Sequence, residues 1–248
     1  MDSRTIWMIF GVVVAGCALG VLAVLLRRLR SLLVYYWRLW MDPFNLHRYA
    51  KENAELAAVG EGERRVVFFG DSITEEWQLD RYFPGKPYVN RGISAETTPQ
   101  MMVRFHQDVI ALRPAVVVIL AGINDMGPRF GRATVEQTAD NLAAMAEMAG
   151  ANEINVVMCS LLPNGLPDSE RWKTRVGKVE QLNTWIREYA SRHGYAFVDY
   201  FPALKDANGA MPIEQAPDGV HPGPKGYEIM TPLVEAGIEK ALKAGNRE

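Results

Sequence analysis

The sequence predicts a parallel α/β sheet covered by helices on both faces and preceded by an N-terminal transmembrane helix. Three observations predict it. Strand-like apolar runs alternate with longer helical patterns beyond about residue 60, several runs are too uniformly apolar to be solvated on one face, and a long uncharged stretch lies near the N-terminus.

The N-terminal element comes first. Ile6 to Leu26 reads IWMIFGVVVAGCALGVLAVLL, without a charge. At 1.5 Å per residue such a stretch of about twenty residues crosses a hydrocarbon layer of roughly 30 Å. A soluble core helix would carry a polar stripe, and this one has none. Val14-Ala15-Gly16-Cys17 also resembles a bacterial lipobox, but the apolar run continues to Leu26 where a lipid-anchored chain normally turns polar. An uncleaved membrane anchor through residues 6–26 is therefore expected. Arg27, Arg28, Arg30 and Arg38 follow the span while Arg4 precedes it, so the positive-inside rule places the C-terminal domain in the cytoplasm, with the periplasmic side as the alternative. Tyr35, Tyr36, Trp37 and Trp40 suit either an interfacial belt or a helix packed on the domain.

Asn53 to Arg65 is rich in Glu, Ala and Gly, which sets the expected boundary near Gly60: residues 1–59 as anchor and stalk, 60–248 as one globular domain. Within the latter, Arg65–Phe69, Tyr88–Asn90, Ala115–Leu120, Ile154–Ser160 and Ala196–Tyr200 read as five strands. Thr98–Leu112, Thr134–Ala149, Glu170–His193 and Pro224–Leu242 read as helices between and after them. A net charge of −2 provides no basic excess for a phosphate backbone, so nucleic acid is not an expected partner. The two cysteines, Cys17 in the apolar run and Cys159 in a strand, suggest neither a disulfide framework nor a Cys-based metal site.

Open parallel sheets bind ligands beyond the C-terminal ends of their strands, and four of those places carry polar residues. After the first strand comes Gly70-Asp71-Ser72-Ile73-Thr74, where glycine permits a tight bend and a following helix would offer free N–H groups to a developing oxyanion. Taken alone this is also an N-cap turn or a phosphate-cradling loop. Before the last helix comes Asp218-Gly219-Val220-His221-Pro222, whose three-residue offset lets a turn bring the Asp218 carboxylate back to the imidazole. A carboxylate on Nδ1 fixes the tautomer that leaves Nε2 free to accept a proton; a surface Asp-Gly turn is the plainer alternative. Asn90-Arg91-Gly92-Ile93-Ser94 and Gly122-Ile123-Asn124-Asp125 follow the second and third strands. A glycine N–H and an asparagine amide are uncharged donors of the kind an oxyanion hole uses. His47, His106 and His193 occupy juxtamembrane or helical positions.

Together GDSIT at 70–74, NRGIS at 90–94, GIND at 122–125 and DGVHP at 218–222 resemble the four blocks of the SGNH or GDSL hydrolases, nearest to lysophospholipase-like and platelet-activating-factor acetylhydrolase-like esterases. The resemblance spans about residues 65–243. It implies a flavodoxin-like three-layer α/β/α sandwich, with Ser72 as nucleophile, His221 as base and Asp218 orienting it. It also implies an oxyanion hole of the Ser72 N–H, the Gly92 N–H and the Asn124 amide. The expected activity is hydrolysis of lipid, lysolipid or short-chain acyl esters through an acyl-enzyme, with no metal or organic cofactor. The alternatives are an acyltransferase or deacetylase acting on cell-envelope sugars, and a tethered binding protein that has lost catalysis.

Overall fold

The computed structural model describes residues 2–56, 60, 63–127, 133–163, 170–207 and 209–245. The chain divides into two units, Met1–Asn45 and Leu46–Glu248.

The first unit is dominated by one helix, α1 (Ser3–Met41). Leu19, Val21, Leu22, Val24, Leu25 and Leu26 are all exposed along it. Among the described residues no helix is long and apolar enough to cross a membrane. The span expected over residues 6–26 is therefore not supported by the structure. The side chains at positions 6, 9, 10, 12 and 13, which belong to that run, lie outside the described ones.

The second unit begins earlier than the composition shift near Gly60 suggests. Its first helix, α2 (Ala50–Glu55), buries no residue of its own, yet Tyr49 just before it is buried and Leu56 just after it packs on the core. Apolar contact and hydrogen bonding, rather than local polarity, decide where the domain starts, and an exposed helix with one buried aromatic at its edge is easily read as a stalk.

Five strands follow: β1 (Val66–Gly70), β2 (Tyr88–Gly92), β3 (Val116–Leu120), β4 (Asn155–Cys159) and β5 (Ala196–Val198). They form one parallel sheet in the order β2-β1-β3-β4-β5. Every residue of β1 and β3 is buried, as expected of strands covered on both faces, whereas the edge strand β2 is only partly buried. Register aligns Gly70 with both Gly92 and Leu120, so the chain leaves three adjacent strands at one level. That alignment brings the loops after β1, β2 and β3 together at the carboxyl edge of the sheet.

The connecting helices are α3 (Ser72–Glu75), α4 (Leu79–Tyr82), α5 (Thr98–Asp108), α6 (Val135–Gly150), α7 (Glu170–His193), α8 (Phe201–Leu204) and α9 (Pro224–Ala244). Both α5 and α6 open with a reciprocal capping box, Thr97 with Gln100 and Thr134 with Gln137, which satisfies orphan N–H groups at each start. The pattern expected to run to Leu112 stops at Asp108, where a 3-10 turn (Ile110–Leu112) leads to Arg113 in the left-handed region and on into β3. The one-turn helices α3, α4 and α8 are too short to give a periodic signal.

Candidate active site

The loop after β1 turns at Asp71, whose side chain accepts from the Ile73 N–H at 3.0 Å and caps α3. Ser72 is therefore the first residue of a one-turn helix, half-buried, and no hydrogen bond to its N–H is described. Such a short helix contributes little macrodipole, so the free N–H groups of the turn are what it offers to an anion.

From the far end of the chain, the loop before α9 carries His221 to this serine. His221 Nε2 lies 3.0 Å from Ser72 Oγ, and its Nδ1 lies 2.6 Å from Asp218 Oδ2. A carboxylate only accepts, so Nδ1 carries the proton and Nε2 accepts from the serine hydroxyl. Gly219, between the two residues, has φ +73, a left-handed conformation that glycine adopts without strain. The other Asp218 oxygen accepts the backbone N–H groups of Val220 (2.9 Å) and His221 (2.8 Å). Partial burial pushes the Asp218 pKa up, but the hydrogen bonds from the His221 ring and these two N–H groups outweigh it, and the carboxyl titrates below its usual range. The structure thus brings the sequence-predicted Ser72, His221 and Asp218 into one chain of hydrogen bonds.

The oxyanion donors need one correction. The Gly92 N–H donates to Asn90 Oδ1 at 2.8 Å and is engaged. Gly92 is a residue of close approach instead: a Cβ there would stand 2.2 Å from the Glu75 backbone nitrogen. Three residues on, Ala95 has φ +66, rare for a residue with a side chain, and its N–H has no partner among the described residues. The loop holding it is fastened on both sides. Ile93 N–H donates to Gly70 O (3.0 Å) and Ser94 N–H to Glu75 Oε2 (2.8 Å), while Glu96 O accepts the Asn124 amide at 2.9 Å. Ala95 therefore lies between the Ser72 turn and Asn124. One N–H of the Asn124 amide is spent on Glu96, and its second remains to be offered.

Several site residues carried no signal that sequence reasoning used. Asn90 fastens β2 to the end of α3 by donating to Thr74 O (2.6 Å) and Trp77 O (3.1 Å). Arg104, fully buried, pairs with Glu96 and Asp108 and reaches Arg91 O at 3.0 Å and Gly70 O at 3.3 Å. Asp125 accepts the Thr98 N–H and hydroxyl and so tethers the start of α5 to the loop after β3. An arginine and an aspartate spaced four apart in a helix resemble an ordinary surface pair until the fold buries them. Trp77, just beyond α3 and so close to the site in sequence, is 2% exposed and packs in the core against Phe68, Phe83 and Tyr227 rather than walling a pocket. From sequence, the loops at 126–130 and 163–172 would also wall a pocket beyond the strand ends, but positions 128–130 and 164–169 and the side chain of Trp172 lie outside the described residues.

Asp71 supplies a prediction about stability. Complete burial raises its pKa to about 7, opposed by the Ile73 hydrogen bond and the nearby His221. A folded-state value raised above the unfolded one contributes stability that is present below the unfolded pKa and lost as pH rises through the folded one. Between about pH 4 and 7 stability should fall as Asp71 is forced to ionise. Asp71→Asn keeps the cap to Ile73 without the charge. Its melting temperature should exceed the wild-type value by roughly 5 °C at about pH 8 and converge with it near pH 4 in thermal melts.

The amide of Asn124 supplies a second. If it stabilises charge that develops only during reaction, Asn124→Ala should lower kcat about 10² to 10³ fold and leave KM nearly unchanged. Steady-state kinetics on a chromogenic ester would measure both, and a rise in KM alone would assign the amide to substrate binding.

The chain is similar to known proteins in sequence and in fold. The GDSL-like Lipase/Acylhydrolase family matches residues 68–229. A crystal structure of a GDSL-like lipase from Bacteroides thetaiotaomicron is 41% identical, covering 80% of this chain and 98% of that one, with a TM-score of 0.74. An uncharacterized lipoprotein of Bacillus subtilis is 23% identical over 72% of this chain and 90% of its own length. An acetylxylan esterase of Geobacillus stearothermophilus is 25% identical over 73% of this chain and 97% of its own length.

Proposed function

We propose, from the premise that this chain belongs to the GDSL-like lipase/acylhydrolase family of carboxylic ester hydrolases, that it cleaves acyl esters through an acyl-enzyme on Ser72. The observation that carries this is the continuous line from Ser72 Oγ through both nitrogens of His221 to Asp218. His221 takes the hydroxyl proton as Ser72 Oγ attacks the ester carbonyl, and returns it to the departing alcohol. Water activated by the same nitrogen then releases the acid and restores the serine. In the tetrahedral intermediates the negative oxygen is held by the N–H groups of Ser72 and Ala95 and by the Asn124 amide, all uncharged donors.

The N-terminal unit gives the substrate question a direction. The exposed Leu and Val side chains along α1 suit association with a lipid surface rather than a span across it. An enzyme held there meets lipid and lysolipid esters. Short acyl esters of sugars form the second candidate class, favoured by the similarity to an acetylxylan esterase. The test is a rate comparison on p-nitrophenyl esters of increasing acyl length, a lysophospholipid and an acetylated xylo-oligosaccharide. Faster turnover with longer acyl chains and with the lysophospholipid supports the lipid class. Preference for acetyl and for the oligosaccharide supports the second, and no hydrolysis of any ester contradicts the proposal.

A further inference from the structure

Resting on the oxyanion site proposed above, we propose that Tyr49 is a positioning residue for it, supplied by a segment that lies outside the 68–229 span matched by the family. Tyr49 is 6% exposed, and its hydroxyl donates to the carbonyl of Gly92. That carbonyl shares a peptide plane with the Ile93 N–H, which donates to Gly70 O at 3.0 Å. The plane is thus bonded at both edges: one edge to the strand that delivers Ser72, the other to Tyr49. A peptide held in this way cannot rotate without leaving a buried donor or acceptor unsatisfied. Two residues later stands the Ala95 N–H, so the orientation of the Gly92–Ile93 plane sets where that donor points.

The surroundings hold Tyr49 itself in place. Its ring lies under two guanidinium groups, that of Arg48 at 4.6 Å and that of Arg91 at 4.7 Å from the ring centroid. Arg91 Nε donates to Asn53 Oδ1 at 2.8 Å, and Asn53 Nδ2 donates to Asp108 Oδ1 at 2.7 Å. Asp108 in turn pairs with Arg104, which also holds Glu96, the residue whose carbonyl takes the Asn124 amide. On the other side Arg48 Nη2 lies 3.2 Å from Glu75 Oε1, and Glu75 Oε2 accepts the Ser94 N–H. Residues 48–53 therefore brace both the helix that begins with the nucleophile and the loop that carries the second oxyanion donor. A purely structural tyrosine would need only its ring in the core; here the hydroxyl ends on the backbone of the reactive loop.

The test is Tyr49→Phe in the full chain, which keeps the ring and its two cation contacts and removes only the hydroxyl. Rates are expressed per active site counted by a fluorophosphonate titration, at a temperature well below melting, so that any unfolded fraction drops out. The donor is displaced rather than deleted, so kcat should fall roughly tenfold, less than for loss of a donor outright, with KM within about twofold of wild type. Affinity for a trifluoromethyl ketone, whose adduct with Ser72 places an oxyanion in the same site, should fall in the same proportion. Loss of thermal stability alone, with kcat and ketone affinity within about twofold of wild type, would overturn the proposal. Ser72→Ala measured alongside separates the two levels: hydrolysis equal to wild type in that variant would overturn the active-site assignment and the brace with it. A dead Ser72→Ala beside a wild-type-like Tyr49→Phe would overturn the brace alone.

Discussion

Ser72→Ala should abolish ester hydrolysis while leaving the fold intact, with a loss of order 10⁴ to 10⁶ in kcat. The fold should survive because the Ser72 side chain is half-buried and its described hydrogen bond is to His221 alone, whereas the turn is fixed by Asp71 capping Ile73 and by the Glu75 and Glu76 N–H groups bonding back to Asp71 and Ser72 carbonyls. The catalytic loss is large because among the described residues no second nucleophile stands on His221 Nε2, and water attacking directly lacks the positioning that a bonded hydroxyl has. The turn does not depend on Oγ, so melting temperature and circular dichroism should be unchanged. Ester turnover within tenfold of wild type would remove Ser72 from the mechanism.

Asp218→Asn should lower kcat by about 10³ to 10⁴ fold, through the proton inventory of His221 rather than through shape. Asparagine retains an oxygen for the Val220 and His221 backbone N–H groups, but its amide can donate to Nδ1 where the carboxylate could only accept. The imidazole proton then moves to Nε2, and the nitrogen facing Ser72 becomes a donor that cannot take the hydroxyl proton. The carboxylate is 54% exposed and partly solvated, which places the effect toward the lower end of that range. In the wild type, the hydrogen bonds that keep the Asp218 pKa below the usual carboxylate value also fix its pH window. A depressed folded-state pKa contributes stability above the unfolded value and loses it only as pH falls through the lower one. A decline of activity on mild acidification is therefore not expected from protonating Asp218. Measuring kcat/KM against pH for both proteins checks this, and an asparagine variant with unchanged rates would reduce the Asp218–His221 contact to a surface turn.

Much of the fold was legible because burial on both sheet faces leaves a direct trace: the five apolar runs fall on β1 to β5, and the four long helical patterns fall on α5, α6, α7 and α9. The grouping of Ser72, His221 and Asp218 was legible because these residues sit immediately after a strand end or before a helix, in motifs short enough to read in sequence. What sequence did not reveal depends on long-range contact. Whether the Gly92 N–H is free depends on the rotamer of Asn90, and the left-handed φ of Ala95 has no compositional marker, since alanine is ordinary in sequence. Arg104 with Glu96 and Asp108 has the same character: three charged residues that read as a solvated face form a buried cluster only once β1, β2 and α5 meet. Tyr49 reads as part of a stalk because its neighbours in sequence are polar, while the hydrogen bond that holds its hydroxyl is made to a residue about forty positions away.

The most direct test of the central claim is the site of covalent capture. Incubation of the full chain with a fluorophosphonate, followed by digestion and peptide mass spectrometry, should place a single adduct on Ser72, formed at a rate that falls sharply in Asp218→Asn and to zero in Ser72→Ala. Stoichiometric loss of esterase activity should accompany it. An adduct on another residue, or full inhibition with Ser72 unmodified, would contradict the assignment of Ser72 as the nucleophile.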